Sequence, residues 1–102
     1  MAQHISITQL PASSRPRERL RRVGLQKLRD AELLALLIGT GTRTASSLEL
    51  GRLILKRLGG PPGICAAGPA ELQEIPGVGP ALAARIAAAM ELARRGMAEP
   101  AP

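Results

Sequence analysis

Apolar side chains recur along this chain at intervals of three and four residues, the spacing of a helix that buries one face. In the last such segment Leu82, Ile86, Met90 and Ala93 share one side, which we expect to face inward. Proline and glycine divide the pattern into about five helical segments, near positions 15–23, 30–38, 44–58, 69–75 and 80–95. No alternation typical of a β-strand stands out. The sequence therefore predicts an all-α fold, a small helical domain of about five helices.

Residues at the segment ends support this division. Gly24 is expected to end the first helix, and Asp30 is a suitable N-cap for the second. Pro61-Pro62-Gly63 predicts a connector, followed by a single helical turn over 64–67. Gly96 is expected to close the last helix. The first helix and the turn after it are expected to reach the core through Leu20, Val23, Leu25 and Leu28.

The length of 102 residues fits one domain. Residues 1–14 are predicted to form a flexible N-terminal arm, residues 15–96 the helical domain, and residues 97–102 a disordered tail or linker.

A short glycine pattern occurs twice, 38 residues apart. Gly-x-Gly-x-x-x-Ala-x-x-(Ile or Leu) is formed first by Gly39, Gly41, Ala45 and Leu48 and again by Gly77, Gly79, Ala83 and Ile86. A helix-like segment precedes each copy and a longer one follows it. The repeat predicts two helix-hairpin-helix motifs, in which the Ala and the Ile or Leu lie on the inner side of the second helix.

Such a hairpin suits the binding of phosphate by the main chain. Glycine adopts backbone angles that residues with a Cβ resist, and its missing side chain lets an anion come close. The following helix begins with unpaired N–H groups and a positive dipole end. The predicted phosphate contacts are Gly39, Thr40, Gly41, Thr42, Arg43, Gly77, Val78, Gly79 and Arg85. If both glycines of the second hairpin need special angles, valine at Gly77 or Gly79 should cost about 1–3 kcal/mol. The simpler alternative is that both hairpins are only tight turns.

The charge balance is compatible with a nucleic-acid partner. Lys and Arg number 14 against 8 acids, a formal net charge of +6. An auxiliary basic group is predicted at Arg15, Arg17, Arg19, Arg21 and Arg22, although the same residues could form a solvated helix face. The chain has no Phe, Tyr or Trp, so stacking on unpaired bases is not expected.

No set of residues predicts catalysis, a metal site or a cofactor. His4 has no neighbouring ligand cluster, Cys65 has no nearby His, and Ser46 and Ser47 have no His-Asp partner. A single cysteine excludes an internal disulfide and is compatible with a reducing compartment. The sequence contains neither a membrane-spanning apolar run nor a signal-peptide pattern, so a cytoplasmic location is expected.

The chain resembles the N-terminal region of the RadC family of DNA repair proteins over roughly residues 8–96. The resemblance is carried by Arg15-Pro16-Arg17-Glu18-Arg19-Leu20, by the segment from Leu28 to Thr42, by Ser47-Leu48-Glu49-Leu50 and by Glu74-Ile75-Pro76-Gly77-Val78-Gly79. It implies tandem helix-hairpin-helix motifs of the RuvA C-terminal or SAM-like type, followed in that family by a JAB/MPN metalloprotease-type domain whose metal ligands this chain lacks. The sequence departs from DNA-binding hairpins that carry Lys after the second glycine, since Pro80, Ala81 and Leu82 stand there.

Two functions are predicted from different classes. The first is a non-enzymatic, sequence-independent module that binds double-stranded or branched DNA through its backbone, with a Kd of about 10⁻⁴ to 10⁻⁶ M at physiological salt. The second is a scaffold domain that positions a protein partner or its own C-terminal domain without touching DNA. An apolar rim at Val78, Ala81 and Leu82 would favour the scaffold.

Overall fold

A computed structural model describes residues 15–39 and 46–98 of the chain. Six α-helices and one 3-10 turn make up this part, which contains no β-strand, so the all-α prediction is confirmed. The helices are α1 Pro16–Val23, α2 Asp30–Ile38, α3 Ser47–Leu58, α4 Pro61–Ala66, α5 Pro69–Gln73 and α6 Pro80–Met97, and the 3-10 turn is Leu25–Lys27.

The helix missing from the sequence prediction is α4, which replaces the expected connector at 61–63 and the single turn at 64–67. Pro61 and Pro62 occupy the first turn, where a missing N–H costs nothing. Gly63 lies inside the helix because α4 packs directly on the end of α3: a Cβ at this position would lie 1.7 Å from the Leu58 carbonyl oxygen. Ile64 then enters the core, where it is almost fully buried.

The core is aliphatic and lies between closely approaching helices. A Cβ at Gly51 of α3 would lie 3.0 Å from the Ala31 carbonyl oxygen of α2, so the absence of a side chain lets these two helices pack at short distance. α5 packs on α6 in the second half of the domain. The buried cluster consists of Leu34, Ile38, Leu50, Ile54, Ile64, Ala67, Leu72, Ile75, Val78, Ala83 and Ile86.

Two of the side chains predicted to face the core are exposed. Leu25, the first residue of the 3-10 turn, is 58% exposed, whereas Leu28 just after the turn is buried as predicted. Ala93 is exposed because α6 extends beyond the core, and residues 91–98 are all exposed. Leu82, Met90, Leu20 and Val23 are half-buried, and Ile86 is fully buried, as the helical spacing predicted.

Helix ends also differ from the predicted ones. Arg29, not Asp30, is the N-cap of α2, and Asp30 is its first residue. α3 begins at Ser47 rather than near position 44, because the Ser46 hydroxyl oxygen accepts a hydrogen bond from the Glu49 N–H (3.2 Å) and caps the helix there. α6 continues through Gly96 to Met97.

The described residues contain no helix that combines the length and the apolar character needed to cross a bilayer.

Alanine substitutions at two glycines test this packing. Gly63→Ala should lower the free energy of unfolding by about 1–3 kcal/mol, because the Leu58 main chain must move to admit the methyl group. Gly96→Ala is the matched control: its Cβ meets no atom within 4 Å, and it should raise stability by about 0.5–1 kcal/mol. Urea denaturation measures both. Equal stability of Gly63→Ala and the wild type would contradict the packing of α4 on α3.

Candidate nucleic-acid interface

The second glycine hairpin is a tight turn between α5 and α6. The Val78 N–H donates to the Ile75 carbonyl oxygen at 3.0 Å, with Pro76 and Gly77 between them. Gly77 has a φ of +93°, and proline followed by a positive-φ glycine is the signature of a type II turn. Gly77 is therefore required by the backbone. Val78 serves the fold, since its N–H is used inside the turn and its side chain is buried.

Gly79 does not need the special backbone angles that were expected. Its φ of −86° and ψ of −179° are ordinary extended values, and a Cβ there would meet no atom within 4 Å. The prediction that a side chain at Gly79 strains the hairpin is therefore wrong. The missing side chain leaves an exposed stretch of main chain at the start of α6.

The N-terminus of α6 carries donors that the fold does not use. Within residues 15–39 and 46–98, the N–H groups of Gly77, Gly79, Ala81 and Leu82 make no backbone hydrogen bond, and no side chain caps the helix. The first turn of this 18-residue helix contains no acidic residue. Such a helix end has a partial positive charge and N–H groups available to an anion.

The other helices of eight or more residues in the described part begin differently. Acidic residues lie in the first turn of α1 (Glu18), α2 (Asp30 and Glu32) and α3 (Glu49). Their carboxylates already complement the helix dipole, and in α3 Ser46 also uses the Glu49 N–H. An added anion is therefore favoured at α6 and disfavoured at the other three.

The first glycine hairpin lies mostly outside the described residues. Thr40, Gly41, Thr42, Arg43 and Ala45 belong to the part that the structure does not describe. Gly39 has a φ of +79°, so the first glycine of both copies has a positive φ. Leu48, Ala83 and Ile86 are buried, which confirms the inward side predicted from the repeat.

Arg85 links the second hairpin to the start of the first. Its guanidinium Nη1 donates to the Ile38 carbonyl oxygen at 3.5 Å, and Ile38 is the last residue of α2, directly before Gly39. Arg85 itself is exposed on α6, little more than one turn after Pro80. The only cation predicted near the second hairpin therefore lies between the two glycine segments.

The five arginines of the predicted auxiliary basic group do not share one environment in the fold. Arg17, Arg21 and Arg22 are exposed on α1, and Arg15 is half-buried just before it. Arg21 also lies 3.8 Å from the carboxylate of Glu18. Arg19 instead forms an ion pair with the buried Glu32 of α2, so its charge is used to join the two helices.

Sequence reasoning missed Glu32, the acidic partner that holds α1. Its carboxylate accepts hydrogen bonds from the Arg29 N–H (2.9 Å) and from the Arg19 guanidinium. Burial alone would raise the pKa of Glu32, but these two hydrogen bonds outweigh it and lower the pKa below its usual value. The sequence signal that could have identified Glu32 is its position three residues after the N-cap, where the Glu carboxylate commonly accepts a hydrogen bond from the N-cap N–H.

Among the described residues, no three His, Cys, Asp or Glu side chains are grouped so that they could hold a metal ion. Cys65 is exposed, and its Sγ lies 3.6 Å from the Met90 Sδ. The Cys65 carbonyl oxygen accepts a hydrogen bond from Arg94, which joins α4 to α6. Arg94 thus contributes to packing, in addition to its ion pair with Glu91.

Comparison with known proteins assigns the chain to a family. The family described as UPF0758 N-terminal matches residues 7–84. The chain belongs to this family. It is 48% identical over 97 residues to a UPF0758 protein of Desulforudis audaxviator, covering 95% of this chain and 42% of that protein. It is 52% identical over 90 residues to UPF0758 protein Bpet3149 of Bordetella petrii, covering 88% of this chain and 40% of that protein.

UPF0758 proteins of this kind are longer than the present chain, which spans about two fifths of their length. A UPF0758 protein of Moorella thermoacetica gives the same proportion, with 48% identity over 93 residues and 41% of its length covered. No solved structure matches the chain.

The lowered pKa of Glu32 predicts how stability depends on pH in this UPF0758 domain. Because its folded pKa lies below the unfolded pKa, its contribution is fully present above the unfolded pKa and is lost as the pH falls through the folded pKa. Glu32→Gln should cost about 1–2 kcal/mol at neutral pH, since the buried charge-assisted hydrogen bonds weaken.

Urea denaturation from pH 7 to pH 3 measures this difference, which should shrink as wild-type Glu32 becomes protonated. Glu18→Gln is the control, since Glu18 is half-exposed and its pair with Arg21 is long; its effect should stay below about 0.5 kcal/mol. A Glu32→Gln penalty that is the same at both pH values would contradict the assignment.

Proposed function

We propose that this UPF0758 chain is a DNA-binding module that contacts backbone phosphates without reading base sequence. The observation that carries the proposal is the N-terminus of α6, where four N–H groups have no hydrogen-bond acceptor in the described part of the chain and no acid lies in the first turn. The proposed contacts are the main-chain N–H groups of Gly77, Gly79, Ala81 and Leu82, with Arg85 as the nearby cation.

Electrostatics supports a polyanionic partner. The net charge of +6 attracts DNA over a distance of about one Debye length, and exposed Arg17, Arg21 and Arg22 add to it locally. Contacts from main-chain N–H groups and Arg to phosphate position a duplex but carry no base information. A helix N-terminus contributes only about 0.3–1 kcal/mol to an exposed anion, so we expect weak binding with a Kd of about 10⁻⁴ to 10⁻⁶ M at physiological salt.

The resemblance to RadC proteins supports the same function. We propose that the chain corresponds to the helical N-terminal part of a RadC-like protein, and that the first hairpin, with Thr40, Gly41, Thr42 and Arg43, binds a second phosphate segment. The metal-dependent chemistry implied by a JAB/MPN domain would belong to a portion outside this chain, so we propose a non-enzymatic role for these residues.

A scaffold that positions a catalytic partner is the second candidate. It is favoured by Leu92 and Met97, which are 72% and 89% exposed near the end of α6. The hairpin itself does not favour it, because the apolar rim that would indicate a scaffold is mostly absent: Val78 is buried, Leu82 is half-buried, and only Ala81 is exposed.

Aspartate at Gly79 tests the phosphate site without disturbing the fold. Asp is a better N-cap than Gly, and a Cβ fits there, so Gly79→Asp should remain as stable as the wild type or become more stable. Its carboxylate would repel a phosphate at the same helix end and should weaken duplex binding on the order of tenfold. Fluorescence anisotropy of a labelled duplex at several salt concentrations measures this.

Gly68→Asp is the matched control. Gly68 is the N-cap of α5, has nearly the same backbone angles, precedes a proline as Gly79 does, and has room for a Cβ. It makes the same change in net charge but should affect affinity much less. If about four phosphates are neutralised, the log-log salt slope of the wild type should be about −3.6. Equal loss of affinity in both variants would mean that only net charge matters; no binding at low salt would favour the scaffold.

A further inference from the structure

A second surface of mixed character lies at the turn between α1 and α2. From Arg21 to Asp30 every residue is exposed except half-buried Val23 and buried Leu28. Four cations and two bulky apolar side chains make up what we term the Leu25 surface: Arg21, Arg22, Leu25, Lys27, Arg29 and Leu33. The Leu25 surface does not include the glycine hairpin between α5 and α6.

The fold holds this surface together through two successive turns. The Leu28 N–H donates to the Leu25 carbonyl oxygen at 3.1 Å, and burial of Leu28 anchors the turn so that Leu25 remains outside. The Leu33 N–H donates to the Arg29 carbonyl oxygen at 3.0 Å, which places Leu33 one helical turn after Arg29 on the same face of α2. Lys27 and Arg29 therefore lie between the two leucines along the chain.

The charge of the Leu25 surface remains positive when its acids are counted. Asp30 is exposed directly after Arg29, and the Glu18 carboxylate lies 3.8 Å from the Arg21 guanidinium. Glu32 is buried and paired with Arg19, so it does not contribute to the exposed face. Arg21, Lys27 and Arg29 thus outnumber the exposed Asp30 and the half-exposed Glu18.

The two leucines decide between classes of partner. Leu25 is 58% exposed and Leu33 41% exposed, whereas their neighbours Leu28 and Leu34 are almost completely buried. A phosphate backbone offers no apolar group to cover such side chains, whereas a peptide can provide carboxylates and bulky apolar side chains together. Burial of leucine adds affinity, and surrounding charges orient the partner and speed its association.

We propose that the Leu25 surface binds an acidic protein segment that carries bulky apolar residues. The leucines contact the apolar side chains of the partner, and Arg21, Lys27 and Arg29 pair with its carboxylates. This site is independent of the proposed phosphate contacts of α6, so each can fail without the other.

The test uses a short fluorescein-labelled peptide of Asp and Glu residues that contains two leucines, titrated with the complete 102-residue chain. Replacing the peptide's leucines with alanine should weaken binding at least about fivefold. The double variant Leu25→Ser, Leu33→Ser should weaken binding of the leucine peptide by a similar factor and leave duplex DNA binding unchanged. Leu92→Ser is the control, since it removes an exposed leucine from the far end of α6 and should change neither.

Because Leu33 is only partly exposed, NMR of the wild-type protein with labelled leucine methyl groups provides a second measurement. The peptide should shift the methyl signals of Leu25 and Leu33 and not those of Leu92. The proposal is overturned if the peptide fails to bind at high micromolar protein and low salt, or if leucine replacement on either side has no effect. It is also overturned if the double variant loses DNA and peptide binding equally, because the surface would then serve DNA.

Discussion

Helices in this protein must approach one another closely, because the chain has no Phe, Tyr or Trp to fill wider spaces between them. Two glycines make that possible: Gly51 admits the Ala31 carbonyl of α2, and Gly63 admits the Leu58 carbonyl at the end of α3. With α4 fixed in this way, Arg94 joins it to α6 through the Cys65 carbonyl oxygen. At the other end of α6, the fully buried Ala83 and Ile86 hold its first turns, whose N-terminus forms the candidate site, against the core.

The distribution of acids over helix ends separates α6 from its neighbours. In α1, α2 and α3 an acidic side chain complements the first turn, and in α2 Glu32 also pairs with Arg19 and holds the basic helix in place. In α6 the N-cap residue is Gly79 and the first helical residue is Pro80, and neither has a side chain that accepts a capping hydrogen bond or carries a charge. The N-terminal end of the α6 dipole remains uncompensated by the described residues, and this asymmetry directs our proposal to the second hairpin.

Much of the fold could be predicted from periodicity and helix-ending residues, because these signals are local. The α4 helix could not, since Gly63 and two prolines indicate a loop unless the position of the Leu58 carbonyl is known. The Gly-x-Gly repeat suggested special backbone angles at both glycines, but only Gly77 has a positive φ, and Gly79 is extended. The role of Glu32 depends on a partner 13 residues away, which no local pattern specifies.

Amide NMR with a short unlabelled duplex tests most directly whether the α6 N-terminus binds phosphate. Our account predicts that the N–H signals of Gly77, Gly79 and Ala81 shift on titration and that added salt reverses the shifts. The Glu49 N–H already donates to the Ser46 hydroxyl oxygen, so its signal should change little. Shifts confined to α1, with the hairpin signals unchanged, would contradict the account.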